Sequence, residues 1–313
     1  MGVKMKEISV KAFAKINLSL DVLGKRADGY HCVDMVMQQI DLWDMVTIRV
    51  GLGKAPIILE VEQNRHDIKG RDQELPKDGN NLAWKAAELM GNLFGNRETK
   101  LVIQKNIPIA AGLGGGSADA AAVLHGLNYL WGLNLSIERM MEIGGSLGSD
   151  VPFCVMGQAA LNWQLGMMGE KVASCGRATG IGKTVSPLPP LNSWVLLTKP
   201  DLSISTGEVY GGLVLENIGG RPDNDGLIAG LGRGDAERVA RAMGNVLEGV
   251  TAGKHPIITK IKEQMGQNRG VLKVMMSGSG PTVYGLFRRE KEGKAGYEKM
   301  RELYPETFLV KTL

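Results

Sequence analysis

The chain has 313 residues, 43% hydrophobic and 22% charged, with a net charge of +4. This composition excludes a largely disordered chain. The mild charge, with no long basic block, argues against a nucleic-acid partner and suits an anionic small substrate. Cys32, Cys154 and Cys175 are too widely spaced for a zinc site or a disulfide framework, so a reduced, cytoplasmic setting is expected. The segment "MGVKMKEISV" lacks the apolar stretch of a signal peptide, and Lys6 stands where myristoylation wants Ser or Thr. No apolar run is long enough to span a bilayer, so no membrane partner is expected.

In chain order, "AKINLSLDV" alternates strictly, with Ala14, Ile16, Leu18, Leu20 and Val22 on one face and Lys15, Asn17, Ser19 and Asp21 on the other. This period of two predicts a half-buried strand whose polar face points away from the core. Asp28-Gly29 marks a tight turn. Strand zones follow at Met35 to Ile40 and in "DMVTIRV", and then the polar stretch "EQNRHDIKGRDQELPKDGNN" reads as loop. "LAWKAAELMGNLFG" predicts an amphipathic helix ending near Gly95, and "TKLVIQKNIP" a strand closed by Pro108. "SADAAAVLHGLNYLWG" is rich in the best helix former and exits at Gly132, and "SIERMMEIGGSLG" predicts a helix capped by Ser136. "SDVPFCVMGQAAL" is expected to lead into a short apolar strand. The Gly-, Pro- and Ser-rich stretch from Asn162 to Pro190 marks a domain junction, beyond which "SWVLLTKP" starts a new strand. The whole reads as α+β in two domains.

The segment "PIAAGLGGGSADAAA", Pro108 to Ala122, asks for an explanation. Clustered glycines cost conformational entropy on folding. The dinucleotide pattern GxGxxG fails on it, because Ser117 stands where the third Gly belongs. A P-loop near-miss at "GRATGIGKT" also fails, because Arg177 occupies the place of the opening Gly. A glycine-rich loop feeding a helix start is nevertheless an anion site on physical grounds, since bare amides turn inward and the helix end adds partial positive charge. Gly112, Gly114, Gly115 and Gly116 are more glycines than a tight turn needs. Ser117 could add a hydroxyl to phosphate or to a metal.

That loop resembles the second motif of the GHMP kinases, the superfamily named for galactose, homoserine, mevalonate and phosphomevalonate. "AFAKINLSLDVLGKRADGYH" resembles its N-terminal motif, and "MMSGSGPTVYGLF" its C-terminal glycine motif. Together with "LGSDVPFC", these motifs run in order through most of the chain. The resemblance implies a ribosomal protein S5 domain 2-like, ATP-binding N-terminal domain over residues 1–188 and a ferredoxin-like C-terminal domain over 189–313. It implies an ATP- and Mg2+-dependent small-molecule kinase, a monomer or weak homodimer. "RADGYH" points to the branch that phosphorylates a cytidine-diphosphate-linked methylerythritol at its 2-hydroxyl in the non-mevalonate isoprenoid pathway. The alternative is another small alcohol, such as homoserine, mevalonate or a sugar.

Roles follow from the matching positions. Asp150 matches the catalytic aspartate, as base or positioner of the hydroxyl, and Lys15 matches its lysine partner. Asn17 matches a substrate contact. Tyr30 and His31 match the pair that reads the cytosine, and Tyr210 an aromatic sandwiching the same ring with Tyr30. Lys105 and Asn81 match positions near the nucleotide of ATP. Gly114 to Ala118 match the phosphate loop, and Ser277, Gly278, Ser279 and Gly280 the loop behind it; Ser117 is also the candidate magnesium contact. Taken alone, Asp150 would read as a helix cap and Lys15 as a solvated edge lysine. One departure stands out: "NWQLGMMGEKVASCG", Asn162 to Gly176, resembles an insertion, with Trp163 and Met167 as a candidate exposed apolar patch. A non-catalytic RNA-binding module on a related fold is the competing class. It would have no use for Lys15, Asp150 and the glycine loop together, and would want a stronger basic stripe.

Overall fold

Long runs of alternating and β-branched residues build two 20-residue strands, β1 (Lys6–Lys25) and β2 (His31–Val50), joined by the turn at Asp28-Gly29, where Gly29 takes φ 85°. The computed structural model describes residues 5–51, 53, 56–63, 75–167 and 171–313. After β2 come β3 (Ile58–Gln63), α1 (Leu82–Phe94), β4 (Thr99–Lys105), α2 (Gly115–Trp131), α3 (Ile137–Gly145) and α4 (Val151–Leu161). The hairpin β5 (Cys175–Gly180) and β6 (Thr184–Leu188) follows, then β7 (Trp194–Thr198) and helices α5 (Thr206–Gly211), α6 (Asn224–Gly232), α7 (Ala236–Ala242), α8 (Glu248–Lys254) and α9 (Ile257–Gly266). The chain ends with β8 (Val271–Met276), β9 (Val283–Phe287), α10 (Glu290–Leu303) and β10 (Thr307–Lys311). Contacts divide the chain into two units: Met1–Ala14, Leu42–Ile107 and Gly114–Ala173 in the first, Lys15–Asp41, Pro108–Leu113 and Ser174–Leu313 in the second.

In the first unit, β2 pairs antiparallel with β4, Met45 opposite Gln104 through Val50 opposite Thr99, and β3 runs parallel to β4. Helix α2 is buried along most of its length, packed on α1 and α4. Its small residues permit this. A Cβ at Gly126 would stand 2.2 Å from Ile48 Cδ1, so α2 meets β2 where a side chain is absent. Capping follows local chemistry. Ser136 accepts from the Arg139 amide at the head of α3, and Gly132 closes α2 in the left-handed region at φ 64°.

In the second unit, β2 pairs with β5, Val33 opposite Gly180 through Gln38 opposite Cys175, and β5 pairs with β6. A separate antiparallel sheet has the order β10-β7-β9-β8. Taken with α8, α9 and α10, that order is the ferredoxin-like arrangement expected for the C-terminal domain. Its core gathers Leu196, Ile258, Ile261, Met265, Phe287 and Met300.

Four readings of the sequence need correction. The two strand zones after the first turn are one continuous strand, β2. Ile58–Gln63 is a strand, so Glu62 and Gln63, the first two residues of the polar stretch, are not loop; residues 64–74 lie outside the described part. "VPFCVMGQAAL" is not followed by a strand but is itself α4, with Val151 to Ala159 buried. An all-apolar helix carries no periodic signal to separate it from a buried strand. The polar face of β1 does not point to water: Lys15 is 4% exposed, Asp21 7%, and Asn17 and Ser19 not at all. Each has a partner in its own unit, such as the Ser19 hydroxyl accepting from the Val36 amide at 3.0 Å and Asp21 paired with Arg221. The near-miss "GRATGIGKT" is the β5–β6 hairpin, with Gly180 and Gly182 at positive φ in its turn.

The insertion opens on Asn162, whose side chain accepts from the Lys11 amide and donates to the Lys11 carbonyl, both at 3.1 Å. It continues in a 3-10 turn, Trp163–Leu165, where Trp163 is 86% exposed and Met167 is half-buried; Met168 to Glu170 lie outside the described residues. Among the described residues no helix is long and apolar enough to cross a membrane. Phe153 is fully buried in α4. Phe153→Ala should lower the unfolding free energy by about 3–5 kcal/mol, read from urea unfolding of the purified protein.

Candidate active site

The first unit presents the head of α2. Gly114 takes the left-handed conformation at φ 71°, and no side chain caps the helix. The first helical bond runs from the Ala118 amide to the Gly114 carbonyl at 2.9 Å, so the amides of Gly115, Gly116 and Ser117 precede it. Ala118 is fully buried, Ser117 is half-buried and Gly116 is exposed. A Cβ on Gly115 would stand 3.1 Å from Ile107 Cγ2 and 3.5 Å from Lys105 Nζ. The absence of a side chain at Gly115 therefore leaves the start of the helix beside a buried ammonium.

Lys105 lies between two buried carboxylates. Its Nζ donates to Asp119 Oδ2 at 2.8 Å and to Asp44 Oδ2. The other Asp44 oxygen accepts from the amides of Asn106 at 2.6 Å and Ile107 at 2.9 Å. Burial opposes the charge on Lys105, but the two carboxylates outweigh it and hold the ammonium above its ordinary pKa. Burial pushes the Asp119 carboxyl up to about 7 against the pull of Lys105. Asn81 caps α1, its Oδ1 accepting from the Ala83 amide and its Nδ2 donating to the Pro76 carbonyl, both at 2.9 Å. Asp150 sits at the N-cap position of α4, half-buried, yet its carboxylate makes no capping bond. The cap reading of this residue therefore fails.

The second unit gathers Lys15, Asn17, Gly112 and the Ser277–Gly280 loop. Lys15 Nζ donates to Asn17 Oδ1 at 2.7 Å, and the Lys15 amide to the Leu113 carbonyl at 2.9 Å. A Cβ on Gly278, which takes φ 57°, would stand 3.4 Å from Asn17 Oδ1 and 3.6 Å from Lys15 Nζ. The Ser277 hydroxyl donates to the Gly112 carbonyl at 2.9 Å, and a Cβ on Gly112 would collide with the Ser277 carbonyl at 2.3 Å. The loop thus backs Gly112 at a spacing only glycine allows. Ser279 is braced by the Thr206 hydroxyl at 3.0 Å and, through its carbonyl, by the Thr251 hydroxyl at 3.1 Å; Gly280 takes φ 86°.

Also in the second unit, His31 lies against Tyr210 with ring centroids 5.2 Å apart and tilted by 37°. Tyr30 is 63% exposed. His31 is thus the ring in contact with Tyr210. Burial and then the nearby Lys25 lower the His31 pKa, so the imidazole is neutral at pH 7, with one donor and one acceptor nitrogen.

Sequence reasoning missed three residues that shape these sites. Asp44 and Asp119 grip Lys105, and Tyr284 donates its hydroxyl to the Asn17 carbonyl at 2.6 Å. No spacing rule links partners 61 and 267 residues apart. The uncapped amides, the glycines at 114 to 116 and the ammonium beneath them fit a nucleotide phosphate. Among the described residues no cluster of three His, Cys, Asp or Glu forms a metal cage. Magnesium held by phosphate oxygens and a hydroxyl such as Ser117 needs none.

Residues 81–158 match the GHMP kinases N terminal domain, and residues 227–306 the GHMP kinases C terminal domain. The chain is 42% identical over 310 residues to a 4-diphosphocytidyl-2-C-methyl-D-erythritol kinase of Alkaliphilus metalliredigens, covering 98% of this chain and 97% of that one. It is 44% identical over 306 residues to the protein of that name from Clostridioides difficile, covering 97% and 94%. Among solved structures, a 4-(cytidine 5'-diphospho)-2C-methyl-D-erythritol kinase superposes with a TM-score of 0.72 at 26% identity, covering 97% of this chain and 99% of that one. A homoserine kinase from Cytophaga hutchinsonii superposes with a TM-score of 0.70 at 18% identity, covering 100% and 96%, a likeness of fold alone. The chain belongs to the 4-diphosphocytidyl-2-C-methyl-D-erythritol kinase family, ATP-dependent small-molecule kinases of the GHMP type.

Proposed function

We propose that the protein transfers the terminal phosphoryl group of ATP to the 2-hydroxyl of 4-(cytidine 5'-diphospho)-2-C-methyl-D-erythritol, a step of the non-mevalonate route to isoprenoid precursors. The observation that carries the transfer is the uncapped head of α2 above Lys105. The names of the near-full-length relatives supply the acceptor. The ring pair of His31 and Tyr210 favours it over homoserine, mevalonate or a sugar, because those alcohols offer no heterocycle to stack.

Phosphoryl transfer asks for positioning and for positive charge where negative charge accumulates. The amides of Gly115 to Ser117 hold phosphate oxygens, with Lys105 contributing its charge from below. Asp150 takes the proton of the 2-hydroxyl. That oxygen forms the new bond to phosphorus as the bond to the β-phosphate oxygen breaks, releasing ADP. Lys15 supplies positive charge to the attacking hydroxyl, and Asn17 orients the acceptor. A neutral His31 meets the donor-and-acceptor edge of cytosine while Tyr210 stacks on its face, with Tyr30 beside them. Ser117 would hold magnesium together with the triphosphate, and the ion would supply positive charge to the phosphates. The reading places the enzyme in the cytoplasm as a monomer or weak homodimer, with no nucleic-acid partner, in keeping with its net charge of +4.

Asp150→Asn and Lys15→Met should each lower kcat about a hundredfold or more, measured as ADP release with magnesium-ATP and the cytidylylated acceptor. Turnover near wild type in either variant would remove the assignment. Tyr210→Ala should raise KM for that acceptor by roughly tenfold and leave KM for ATP in place. ADP release with homoserine or mevalonate in place of the cytidylylated acceptor would sink the choice of substrate.

A further inference from the structure

Lys105, Asp44 and Asp119 are at most 6% exposed. Burying one ammonium with two carboxylates is not a route to stability, because such clusters are often replaced by apolar residues at no cost. The arrangement is also not a closed structural network, since Asp119 Oδ1 is buried with no hydrogen-bond partner. Its position is informative. Asp44 grips Lys105 at the end of β4 and, through its other oxygen, the amides of Asn106 and Ile107. Asp119 holds the same ammonium from the first turns of α2. The cluster therefore ties the last residue of β4 to α2.

An ammonium has three donors, and the two carboxylates take two of them. Gly115 lies beside the same nitrogen, since a Cβ there would stand 3.5 Å from it. We infer that Asp44 and Asp119 are positioning residues of the nucleotide site, which aim Lys105 past Gly115 at the bound triphosphate. The inference rests on the reading above that Lys105 meets the nucleotide.

The test is a pair of double-mutant cycles on the full chain, with magnesium-ATP varied at saturating cytidylylated acceptor. Asp44→Asn keeps an oxygen for the two loop amides and removes both the charge and the acceptor that Lys105 uses. It should raise KM for ATP roughly tenfold, as should Asp119→Asn, with kcat kept within about threefold. In a Lys105→Met background neither substitution should raise KM further, because the group they act through is gone. The same factor in both backgrounds would show a general effect on the fold and would overturn the inference, while the role of Lys105 itself stood. If Lys105→Met alone left KM for ATP at the wild-type value, both the nucleotide role of Lys105 and the inference would fall. Should Asp44→Asn not fold, the Asp119→Asn cycle decides by the same criterion.

Discussion

The first unit depends on one constraint: a triphosphate can be held by backbone amides only where side chains are absent and positive charge lies close behind. Gly114 supplies the left-handed turn that starts α2, and Gly115 and Gly116 leave its first amides bare. The helix end gives those amides about half a positive charge in sum, which alone is weak in water. Beside Gly115 lies the buried Lys105 ammonium, shared with two carboxylates. A buried lysine without partners would shed its proton, and the two carboxylates prevent that. The glycines, the lysine and the two aspartates thus answer one requirement, and none of them would make sense without the others.

The second unit solves a different problem with the same device. Lys15 and Asn17 lie on a strand face that carries polar side chains but is buried. Each polar group there has a partner, so the cost of leaving water is offset and the groups are held in one orientation. Tyr284 fixes the Asn17 carbonyl from below, and Asn17 in turn accepts from Lys15. The C-terminal glycine loop lies beside this pair: a Cβ on Gly278 would stand 3.4 Å from Asn17 Oδ1 and 3.6 Å from Lys15 Nζ. Asn245 braces that loop, donating to the Gly278 carbonyl at 2.7 Å and the Met276 carbonyl at 2.9 Å. A lysine fixed this way has little conformational entropy left to lose when it engages a reacting group.

Features set by local chemistry were legible in the sequence. Ser136 as a cap, Gly95 and Gly132 as helix exits, the Asp28-Gly29 turn and the glycine loop each depend on a few neighbouring residues. What depended on the next layer of structure was not. The alternation in β1 correctly predicted a strand, but period two says only that the faces differ, and a covering layer decides whether the polar one is wet. Helix α4 was missed because it is apolar on every side. Asp44 carries no local signal, and its meaning comes only with a partner 61 positions away. The family motifs reached Lys105 but not the carboxylates that hold it.

Phosphate and acceptor are recognised by different physics, and this separates what the fold shares from what it specialises. A homoserine kinase superposes at a TM-score of 0.70 with only 18% identity, so the architecture by itself does not choose an alcohol. Bare amides and an ammonium read charge, which every triphosphate carries alike. Acceptor choice must then lie in groups that read shape and hydrogen-bond pattern. His31 and Tyr210 have that character: two flat rings in contact, one kept neutral by its surroundings. A protonated imidazole would offer two donors and no acceptor, so it could not match an edge that presents both. Burial and then Lys25 lower the His31 pKa, which favours the neutral ring that the proposed cytosine contact needs.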